Sequence, residues 1–442
     1  MATVNIDDAY SINQYINSQQ NTQITKDKYG EVFTPIVLIN EILDNLPQHL
    51  WKNANYKWLD PCAGRGNFFL LVYGRLMNGL ASTYPNQAQR KRHILSKMLY
   101  MNDLNSQNVK ILRSVFGVSG ANISGVDFLK EKEEDGKYEH ENKKGVDVAV
   151  AVGGGDKANI GVWSGVATFN VILLNPPYQI SKKAVYKGGR GNNHTLWDKF
   201  IEKSIGMLDA GDGWMGAITP ANWRRPNHPL YKCIAPHLTF LHIYGKKEGL
   251  RLFNAQTRFD IYIMGGEGGK HNQPLIIDEK GETHRNIEPF KWAFLPNYSY
   301  DKVERFFSLK KTKGVKNNTN KVIYDSNEYN SKTLSTRRTA KAKFPVVHTM
   351  TKKGMGIRWT SKKKGHYGKP KVLLNFNELL YPYNDWKGEY GMSQLTFGIP
   401  INSKKEGDKL VETFNSDDFK EAVKATKWGS FQTDYKMFYY LR

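Results

Sequence analysis

Four residues, Asn175-Pro176-Pro177-Tyr178, directly follow the apolar run Val171-Ile172-Leu173-Leu174, and their types could hold a planar amine. The two prolines fix the backbone and remove two backbone donors, which leaves the preceding carbonyl groups free to accept hydrogen bonds. The side-chain oxygen of Asn175 and the carbonyl oxygen of Pro176 could accept from an exocyclic amino group, while Tyr178 stacks on the ring that carries it. As an isolated string, the tetrapeptide fits a proline-rich turn equally well.

The elements around the tetrapeptide favour a ligand site. The apolar run predicts a buried strand, and open α/β sheets bind ligands beyond the carboxyl ends of their strands. Upstream, a short strand pattern ending at Leu59 leads into Asp60-Pro61-Cys62-Ala63-Gly64-Arg65-Gly66 and then into a helical apolar pattern. Gly64 and Gly66 permit positive φ and close backbone approach, and the loop amides favour a carboxylate or hydroxyl oxygen. This spacing of glycines is a weak signal on its own.

The order of these motifs resembles the N6-adenine DNA methyltransferases of the gamma type. The resemblance rests on the cofactor loop from Asp60 to Phe68, on the later Asn175-Pro176-Pro177-Tyr178, and on Gly30-Glu31-Val32-Phe33-Thr34-Pro35, which precedes both. It covers residues 30 to 264 and is similar to enzymes of large DNA viruses and of restriction-modification systems. The resemblance implies a doubly wound, mostly parallel α/β sheet (the Rossmann-like fold of class I methyltransferases) and S-adenosyl-L-methionine as the cofactor.

The resemblance also implies roles for individual residues. Phe33, Thr34 and Pro35 would lie beside the methionine part of the cofactor, and Asp127 and Phe128 would contact its adenine. Asp103 follows a second predicted strand, Leu99 to Asn102, where a carboxylate can accept both ribose hydroxyls. Any one of these aspartates considered alone fits a solvated loop carboxylate better, because Asp mostly stays exposed. The predicted cofactor-binding set is Phe33, Thr34, Pro35, Asp60, Ala63, Gly64, Gly66, Asp103, Asp127, Phe128 and Asn175.

Downstream patterns predict the remaining sheet. Residues 194 to 208 have apolar side chains near helical spacing, and two strands are expected at 214 to 220 and 259 to 264. The second strand resembles the segment that supplies another base-contacting aromatic, for which Phe259 is favoured over Tyr262. An ordinary core aromatic is at least as good an interpretation of either residue. The predicted catalytic set is Asn175, Pro176, Pro177, Tyr178 and Phe259.

Charge and composition agree with an enzyme that acts on nucleic acid. The chain has 64 Lys and Arg against 42 Asp and Glu, a net charge of +22, and 12% of its residues are aromatic. This balance favours a phosphate-backbone partner, here double-stranded DNA. No apolar run of membrane-spanning length and no signal peptide is evident, and only Cys62 and Cys233 occur, which together predict a soluble protein of a reducing interior, in a bacterium or a virus-infected cell.

A chain of 442 residues exceeds the usual size of a single core, so two domains are expected. The predicted organisation is a polar extension at 1–29, a catalytic domain at 30–269 and a basic target-recognition domain at 270–442. Residues 301 to 371 carry 20 Lys and Arg against 4 Asp and Glu, a net +16. The predicted DNA-binding residues are Arg337, Arg338, Lys341, Lys343, Lys362, Lys363 and Lys364, although a solvated loop explains each of them equally well.

Two further interpretations stay open. Protein-glutamine methyltransferases also hold an amide with Asn-Pro-Pro-Tyr, but neither the Phe33-Thr34-Pro35 segment nor the basic extension is needed for that substrate. A non-catalytic DNA-binding protein on a decayed methyltransferase scaffold would keep the basic domain and lose cofactor residues. The insert at 130–168 is interpreted as a flexible surface excursion, since its Gly153-Gly154-Gly155 is not followed by a phosphate-loop lysine. Histidines show no metal-ligand spacing, and the target site and any companion restriction endonuclease are not predicted.

Overall fold

The computed structural model describes residues 4–18, 33–117, 122–130, 166–178, 195–266, 273–309, 322–324, 334–377, 379–429 and 432–442. These residues form two compact units. The first comprises Met1–Pro220 and Lys232–Glu288, and the second comprises Ala221–Tyr231 and Pro289–Arg442. Among the described helices, none combines the length and apolar character needed to cross a membrane.

The first unit is built on a nine-stranded sheet in the order β3-β2-β1-β4-β5-β7-β6-β8-β9. Strands β1 to β5 run parallel to one another, whereas β7 runs antiparallel to both β5 and β6. The predicted doubly wound, mostly parallel α/β sheet is confirmed. Its strands are β1 (Trp58–Asp60), β2 (Leu99–Asn102), β3 (Asn122–Ser124), β4 (Val171–Leu174), β5 (Trp214–Pro220), β6 (Leu238–Tyr244), β7 (Phe259–Gly265), β8 (Leu275–Ile277) and β9 (Thr283–His284).

Helices accompany these strands in the chain, and several of them bury apolar residues in the core of the first unit. All four residues of β4 are buried, as expected for a central parallel strand covered on both sides. The described helices are α1 (Ala9–Ser18), α2 (Ile36–Asn45), α3 (Asn67–Gly79), α4 (Gln87–His93), α5 (Ser106–Phe116), α6 (Trp197–Gly206), α7 (Pro229–Ile234) and α8 (Lys246–Phe253). A π-helical turn, Ile94–Met98, continues α4 into β2. The helix predicted at 194 to 208 is thus α6.

The polar extension predicted at 1–29 does not stand apart from the catalytic domain. Within α1, Ile12 and Ile16 lie one turn apart, and both are buried in the core of the first unit together with Ile6. Asp7 accepts a hydrogen bond from the Tyr73 hydroxyl (2.6 Å) and forms an ion pair with Lys91 (2.5 Å). Two isoleucines at helical spacing are enough to give a largely polar segment one core-facing side.

The second unit contains two three-stranded sheets, in the orders β11-β10-β14 and β13-β12-β15. Its apolar core includes the buried rings of Phe294, Phe307, Phe397, Phe419 and Phe438. The elements are α9 (Tyr300–Phe306), β10 (Phe344–Thr351), β11 (Gly354–Thr360), β12 (Lys371–Asn375), β13 (Tyr383–Asp385), β14 (Gly391–Met392), β15 (Thr396–Pro400), α10 (Lys404–Asn415) and α11 (Asp417–Ala425).

The division between the two units differs from the predicted boundary at residues 269 and 270. Strands β8 and β9 lie beyond that boundary, yet β8 pairs in parallel with β6 and extends the first sheet. Conversely, residues 221–231 leave the first unit because Arg224 is fully buried in the second. Its guanidinium donates to the carbonyl oxygens of Leu295 (3.1 Å) and Pro296 (2.9 Å) and to Asn297 Oδ1 (2.8 Å). Most of the predicted insert, 131–165, lies outside the described residues.

Candidate active site and nucleic-acid surface

The predicted tetrapeptide begins where β4 ends. Asn175 follows Leu174, and its side-chain nitrogen donates a hydrogen bond to the hydroxyl oxygen of Thr34 (3.0 Å). The backbone carbonyl of Thr34 in turn accepts from the side-chain nitrogen of Asn67 (3.4 Å), the first residue of α3. Three segments far apart in sequence therefore meet at one place: the Phe33-Thr34-Pro35 segment, the start of the helix after the glycine loop, and the tetrapeptide.

The glycine loop lies at the same edge, between β1 and α3. Gly64 (φ +55°) and Gly66 (φ +88°) both adopt the left-handed conformation that favours glycine. A Cβ on Gly66 would lie 2.7 Å from the Phe116 ring of α5, whereas a Cβ on Gly64 would meet nothing within 4 Å. Gly66 is thus required by packing against α5, while Gly64 faces open space at the carboxyl end of the sheet.

Asp103 shapes this loop directly. Its two carboxylate oxygens accept from the backbone amides of Gly64 (2.8 Å) and Asn105 (2.8 Å), and the Asn108 side chain donates to it as well (3.2 Å). A carboxylate offers about four acceptor sites, so a further hydroxyl could still be bound. The ribose contact predicted for Asp103 stays a prediction.

Asn102, for which sequence reasoning assigned no role, joins three strand ends. This buried residue donates from its side-chain nitrogen to the carbonyl oxygens of Pro61 (3.2 Å) and Val126 (3.1 Å) and accepts from the Val126 amide (3.1 Å). Its own carbonyl accepts from the Ala63 amide (2.8 Å). The only signal in the sequence is a polar residue at the end of a strand, which does not reveal partners 24 to 41 residues away.

The loop also contains two groups that can lose a proton, the carboxyl of the buried Asp60 and the thiol of the half-buried Cys62. Asp60 is almost fully buried and accepts from the Cys62 amide (3.1 Å). Burial raises the pKa of the Asp60 carboxyl well above its ordinary value, and the nearby Asp103 adds to the effect. Burial likewise raises the pKa of the Cys62 thiol, with Asp60 and Asp103 contributing. A thiol kept protonated is a poor nucleophile, in agreement with the interpretation of Cys62 as a small turn residue.

Asp127 and Phe128 follow β3 at the next strand end. Asp127 is half-buried and accepts from the Leu129 amide (3.1 Å). Phe128 is buried and stacks on Phe200 of α6, with ring centroids 5.3 Å apart. The Lys203 ammonium lies 5.2 Å from the centre of the same ring. The contacts with adenine predicted for this pair stay predictions.

Tyr178 places a buried hydroxyl near the sheet. That hydroxyl has no hydrogen-bond partner among the residues that the structure describes. Burial raises the pKa of Tyr178 above its ordinary value, and the carboxylate of Asp260 on β7 adds to the rise. The tyrosine therefore stays neutral, and its backbone carbonyl accepts from the Leu196 amide just before α6 (3.3 Å).

The predicted base contact of Phe259 is not available to it in this conformation. Phe259 is the first residue of β7 and has no exposed surface. Its ring stacks parallel to Tyr244, with centroids 4.7 Å apart, and the edge contact with Phe253 is at 4.9 Å. Phe259 is a core aromatic of the first unit. The alternative, Tyr262, is fully buried as well.

In the second unit, the two predicted basic segments meet at one end of the β10–β11 hairpin. Phe344 and Thr360 are paired there, and Lys343 and Lys363 place their ammonium groups 5.5 and 5.2 Å from the centre of the Phe344 ring. Lys363 also lies 5.7 Å from the Tyr367 ring. Arg338 covers Trp359 at 5.5 Å. We call the set Arg338, Lys343, Phe344, Trp359, Lys363 and Tyr367 the basic-aromatic cluster.

Hydrogen bonds and a buried ion pair hold the backbone around the basic-aromatic cluster in place. The Tyr367 hydroxyl donates to the Pro345 carbonyl (2.5 Å), and the buried Lys371 donates to the carbonyl oxygens of His366 (3.0 Å) and Lys369 (3.2 Å). Lys371 also pairs with the buried Asp385 (2.6 Å). Within the described part of the chain, Arg338, Lys343 and Lys363 form no ion pair with an acid. The segment is therefore ordered while its charges remain available.

The chain is similar to known methylases in sequence. Residues 88–245, which include the tetrapeptide, match the model of the Eco57I restriction-modification methylase family. An uncharacterized adenine-specific methylase of Mycoplasma pneumoniae is 28% identical over 239 residues, which are 44% of this chain and 55% of that protein. The chain therefore spans about half the length of the curated relative that it matches.

Solved structures show similarity in fold. The match to the type IIL restriction-modification enzyme MmeI, in complex with DNA, has a TM-score of 0.50 at 10% identity. It covers 97% of this chain and 70% of the MmeI chain. The ATP-dependent type ISP enzyme LlaBIII, bound to DNA, has a TM-score of 0.49 at 13% identity, with 85% of this chain and 34% of that one covered. The likeness to MmeI is one of fold, and the predicted resemblance of the chain to N6-adenine methyltransferases is confirmed by the family match and the curated relative.

Proposed function

We propose that this protein is a site-specific DNA methyltransferase that transfers a methyl group from S-adenosyl-L-methionine to the N6 amino group of adenine. The observation that carries the proposal is the meeting of three motif segments at one sheet edge, joined by the bonds from Asn175 and Asn67 to Thr34. Chance occurrence of a short motif does not account for such convergence, since each segment alone has a bland interpretation.

The residues at this edge suit the proposed cofactor. Gly64 leaves room for close approach, because a Cβ there would meet nothing within 4 Å. The carboxylates of Asp103 and Asp127 follow neighbouring strands β2 and β3, where oxygen acceptors for hydroxyl and amino groups are needed. S-adenosylmethionine, when bound, supplies an electrophilic methyl group on a sulfonium sulfur. We assign the binding of this cofactor to the Phe33-Thr34-Pro35 segment, the glycine loop and these two carboxylates.

The chain's own residues would hold the target amine. We assign Asn175 Oδ1 and the Pro176 carbonyl oxygen to accept its two hydrogens, with Pro177 fixing the backbone and Tyr178 stacking on the base. Extrusion of a base from the duplex costs a few kcal/mol, which stacking and phosphate contacts offset. No strong general base is required, because the ammonium formed by alkylation is acidic and loses its proton afterwards.

The second unit would hold the DNA. The basic-aromatic cluster supplies lysines for phosphates and arginine for either a phosphate or a guanine edge. The neighbouring Arg337, Lys341, Lys362 and Lys364 enlarge the same positive region. We assign target recognition to this unit, although its residues do not specify the sequence that it reads.

The proposal is tested by incubating purified protein with unmethylated genomic DNA and S-adenosylmethionine and mapping N6-methyladenine by single-molecule sequencing. Reactions without cofactor, and with the Asn175→Ala variant, are the controls. A recurrent methylated sequence in the wild-type reaction alone is the expected result. Cofactor binding without any mark on DNA would redirect the search to RNA or protein acceptors, including the glutamine amide, and loss of both would indicate a decayed scaffold.

A further inference from the structure

Trp386 is the most exposed tryptophan in the described part of the chain. It is 37% exposed, and its indole has no hydrogen bond, ring contact or cation contact among the described residues. By contrast, the indole nitrogen of Trp214 donates to Asp212 Oδ1 (2.7 Å), and that of Trp428 donates to the Leu295 carbonyl (2.7 Å). A single exposed apolar side chain is ordinary on a protein surface, so exposure alone assigns no role to Trp386.

A tight turn that begins at Asp385 presents this indole. The Gly388 amide donates to the Asp385 carbonyl (3.0 Å), and Gly388 has a φ of +65°, which favours glycine. The Asp385 carboxylate accepts from the amides of Glu389 (2.8 Å) and Tyr390 (3.2 Å). Hydrogen bonds therefore fix both ends of the turn, and the side chain of Trp386, at its second position, contributes to none of them.

A buried ion pair joins this turn to a loop of the basic-aromatic cluster. The ammonium of Lys371 and the carboxylate of Asp385 are 2.6 Å apart, and both side chains are buried. Lys371 also donates to the carbonyl oxygens of His366 and Lys369, which lie on either side of Tyr367. Removal of either partner of a buried ion pair is strongly destabilising, so the pair fixes the two loops relative to each other.

The two loops also contact each other directly. The Gly368 amide donates to the Gly388 carbonyl (2.9 Å), and a Cβ on Gly388 would lie 2.7 Å from the carbonyl carbon of Gly368. Trp386 comes two residues before Gly388, and Tyr367 comes directly before Gly368. The turn that carries Trp386 is therefore packed against the loop that carries Tyr367 of the basic-aromatic cluster.

The surroundings of the turn are mainly positive. Lys369 and Lys387 are exposed beside the two glycines, and the exposed lysines 362–364 precede the same loop, while Glu389 is the exposed acid of the turn. A flat apolar ring surrounded by cations matches DNA, because DNA offers phosphates to the lysines and the flat faces of its bases to the indole. DNA is therefore the partner that this surface fits.

We propose that Trp386 stacks on a base of the DNA whose phosphates the basic-aromatic cluster holds, as a wedge at a base step. Apolar side chains inserted in this way partly unstack the duplex and kink it. The inference rests on the proposed function, because it takes DNA as the substrate, and it adds a base contact that does not depend on charge. The rigid turn lowers the entropy lost on binding, because the backbone that carries the indole is already ordered.

The test compares Trp386→Ala with Trp386→Phe, which keeps an aromatic face. Fluorescence anisotropy with a fluorescein-labelled duplex of mixed sequence gives the affinity at a series of salt concentrations, since stacking accepts any base. Loss of the ring should lower affinity about tenfold for Trp386→Ala. The slope of log affinity against log salt should not change, because no phosphate contact is lost. Trp386→Phe should recover most of the affinity, and DNA should protect Trp386 of the wild type from acrylamide quenching.

Leu379→Ala is the matched control. Leu379 is 42% exposed and lies in the loop between β12 and β13, at the opposite end of that strand pair from Trp386. Its replacement also removes an exposed apolar side chain from the second unit, but DNA affinity should stay at the wild-type value. Each variant changes an exposed residue, so the melting temperatures should stay close to that of the wild type.

Wild-type DNA affinity in Trp386→Ala, or an affinity of Trp386→Phe as low as that of Trp386→Ala, would overturn the stacking role. A dimer in sedimentation that Trp386→Ala converts to a monomer, with DNA affinity unchanged, would also overturn it and assign the indole to a contact between copies of the chain. Failure of the wild type to bind the duplex would overturn the inference together with the DNA substrate. The expected affinities without any methylation would support the inference and overturn the proposed function alone.

Discussion

The first unit has a sheet edge to which we assign the cofactor, here called the cofactor edge. It differs from the basic-aromatic cluster of the second unit in how its polar and charged side chains are bonded. At the cofactor edge, polar side chains are buried or half-buried and form hydrogen bonds within the protein, as with Asn102, Asp103 and Thr34. In the cluster, Arg338 and Lys363 lie over aromatic rings while their charges find no acidic partner among the described residues. The first arrangement fixes a few atoms precisely, whereas the second presents a field of positive charge.

This difference predicts how each region responds to substitution. At the cofactor edge, a single atom out of place should impair the reaction, because electrostatic and hydrogen-bonding groups act only at short range and in defined directions. In the cluster, each cation should contribute a small and similar amount, because binding to phosphates follows from counterion release. Activity and DNA affinity should therefore separate between the two units.

The largest effect is expected from Asn175→Ala. Removal of the amide takes away the acceptor proposed for the target amine, and loss of one such group in an active site typically costs about a hundredfold in kcat or more. DNA affinity should stay within about twofold, since the cations of the cluster are untouched. Single-turnover methylation and fluorescence anisotropy measure the two quantities. Unchanged turnover would remove the tetrapeptide from the mechanism and break the comparison.

Glycine substitutions in the loop give the next largest effect, and they should differ from each other. Gly66→Ala combines a left-handed φ with a Cβ only 2.7 Å from the Phe116 ring, so a loss of stability of about 2 to 4 kcal/mol is expected. Gly64→Ala adds the strain of its φ without a clash and should cost about 1 kcal/mol.

The two glycine variants also distinguish an effect on packing, seen as lost stability, from an effect on cofactor binding. Because the Cβ of Gly64→Ala would project into open space, this variant should lose cofactor affinity while it remains folded. Urea denaturation and calorimetry with S-adenosylmethionine are the measurements. Equal losses of stability in the two variants, with equal cofactor Kd, would mean that the space beside Gly64 is not used by the cofactor.

How far the sequence predicts this molecule depends on the range of the interactions concerned. Strands β4, β5 and β7 lie where apolar patterns place them, because strand periodicity is a local property. The glycine loop and tetrapeptide were predicted for a related reason: their chemistry requires particular residue types at adjacent positions. The contact between Thr34 and Asn175 spans 141 residues, and only the order of the motifs indicated that the segments belong together.

Interactions between distant residues explain what sequence reasoning missed. The two units divide at a different place from the predicted boundary at 269/270, because strand β8 pairs with β6 and because Arg224 is held by residues more than 70 positions later. Phe259 was favoured for a base contact by the resemblance, and a resemblance in sequence cannot tell a covered ring from an accessible one. The sequence predicted the positive charge of the basic-aromatic cluster. It did not predict that the two segments meet at one end of a hairpin, because that depends on the strand register.

A smaller effect is expected from the triple variant Lys362→Ala, Lys363→Ala and Lys364→Ala. If each lysine neutralises about one phosphate, the slope of log affinity against log salt should fall by up to about 3, and affinity should fall roughly tenfold at moderate salt. Methylation at saturating DNA should be nearly unchanged. Removal of three exposed lysines of α10, Lys404, Lys405 and Lys409, is the control for net charge. Equal changes in both triple variants would show that position within the second unit does not matter.

The smallest effect on activity is expected from Asp60→Asn. Asp60 is 1% exposed and bonds to its own loop, so a neutral side chain of the same shape should leave kcat within about threefold. Stability should respond to pH instead. Burial holds the pKa of Asp60 well above its ordinary value, so the folded state binds a proton more tightly than the unfolded state does. This contribution to stability is fully present below the ordinary carboxyl pKa and is lost as the pH rises through the raised value.

Replacement of Asp60 by Asn should therefore flatten the decline of stability with rising pH over that interval, which urea midpoints at a series of pH values would reveal. If the urea midpoints of Asp60→Asn changed with pH as those of the wild type do, the buried carboxyl would not be the group that titrates. Protonation of Asp60 would then contribute nothing to the stability of the cofactor edge.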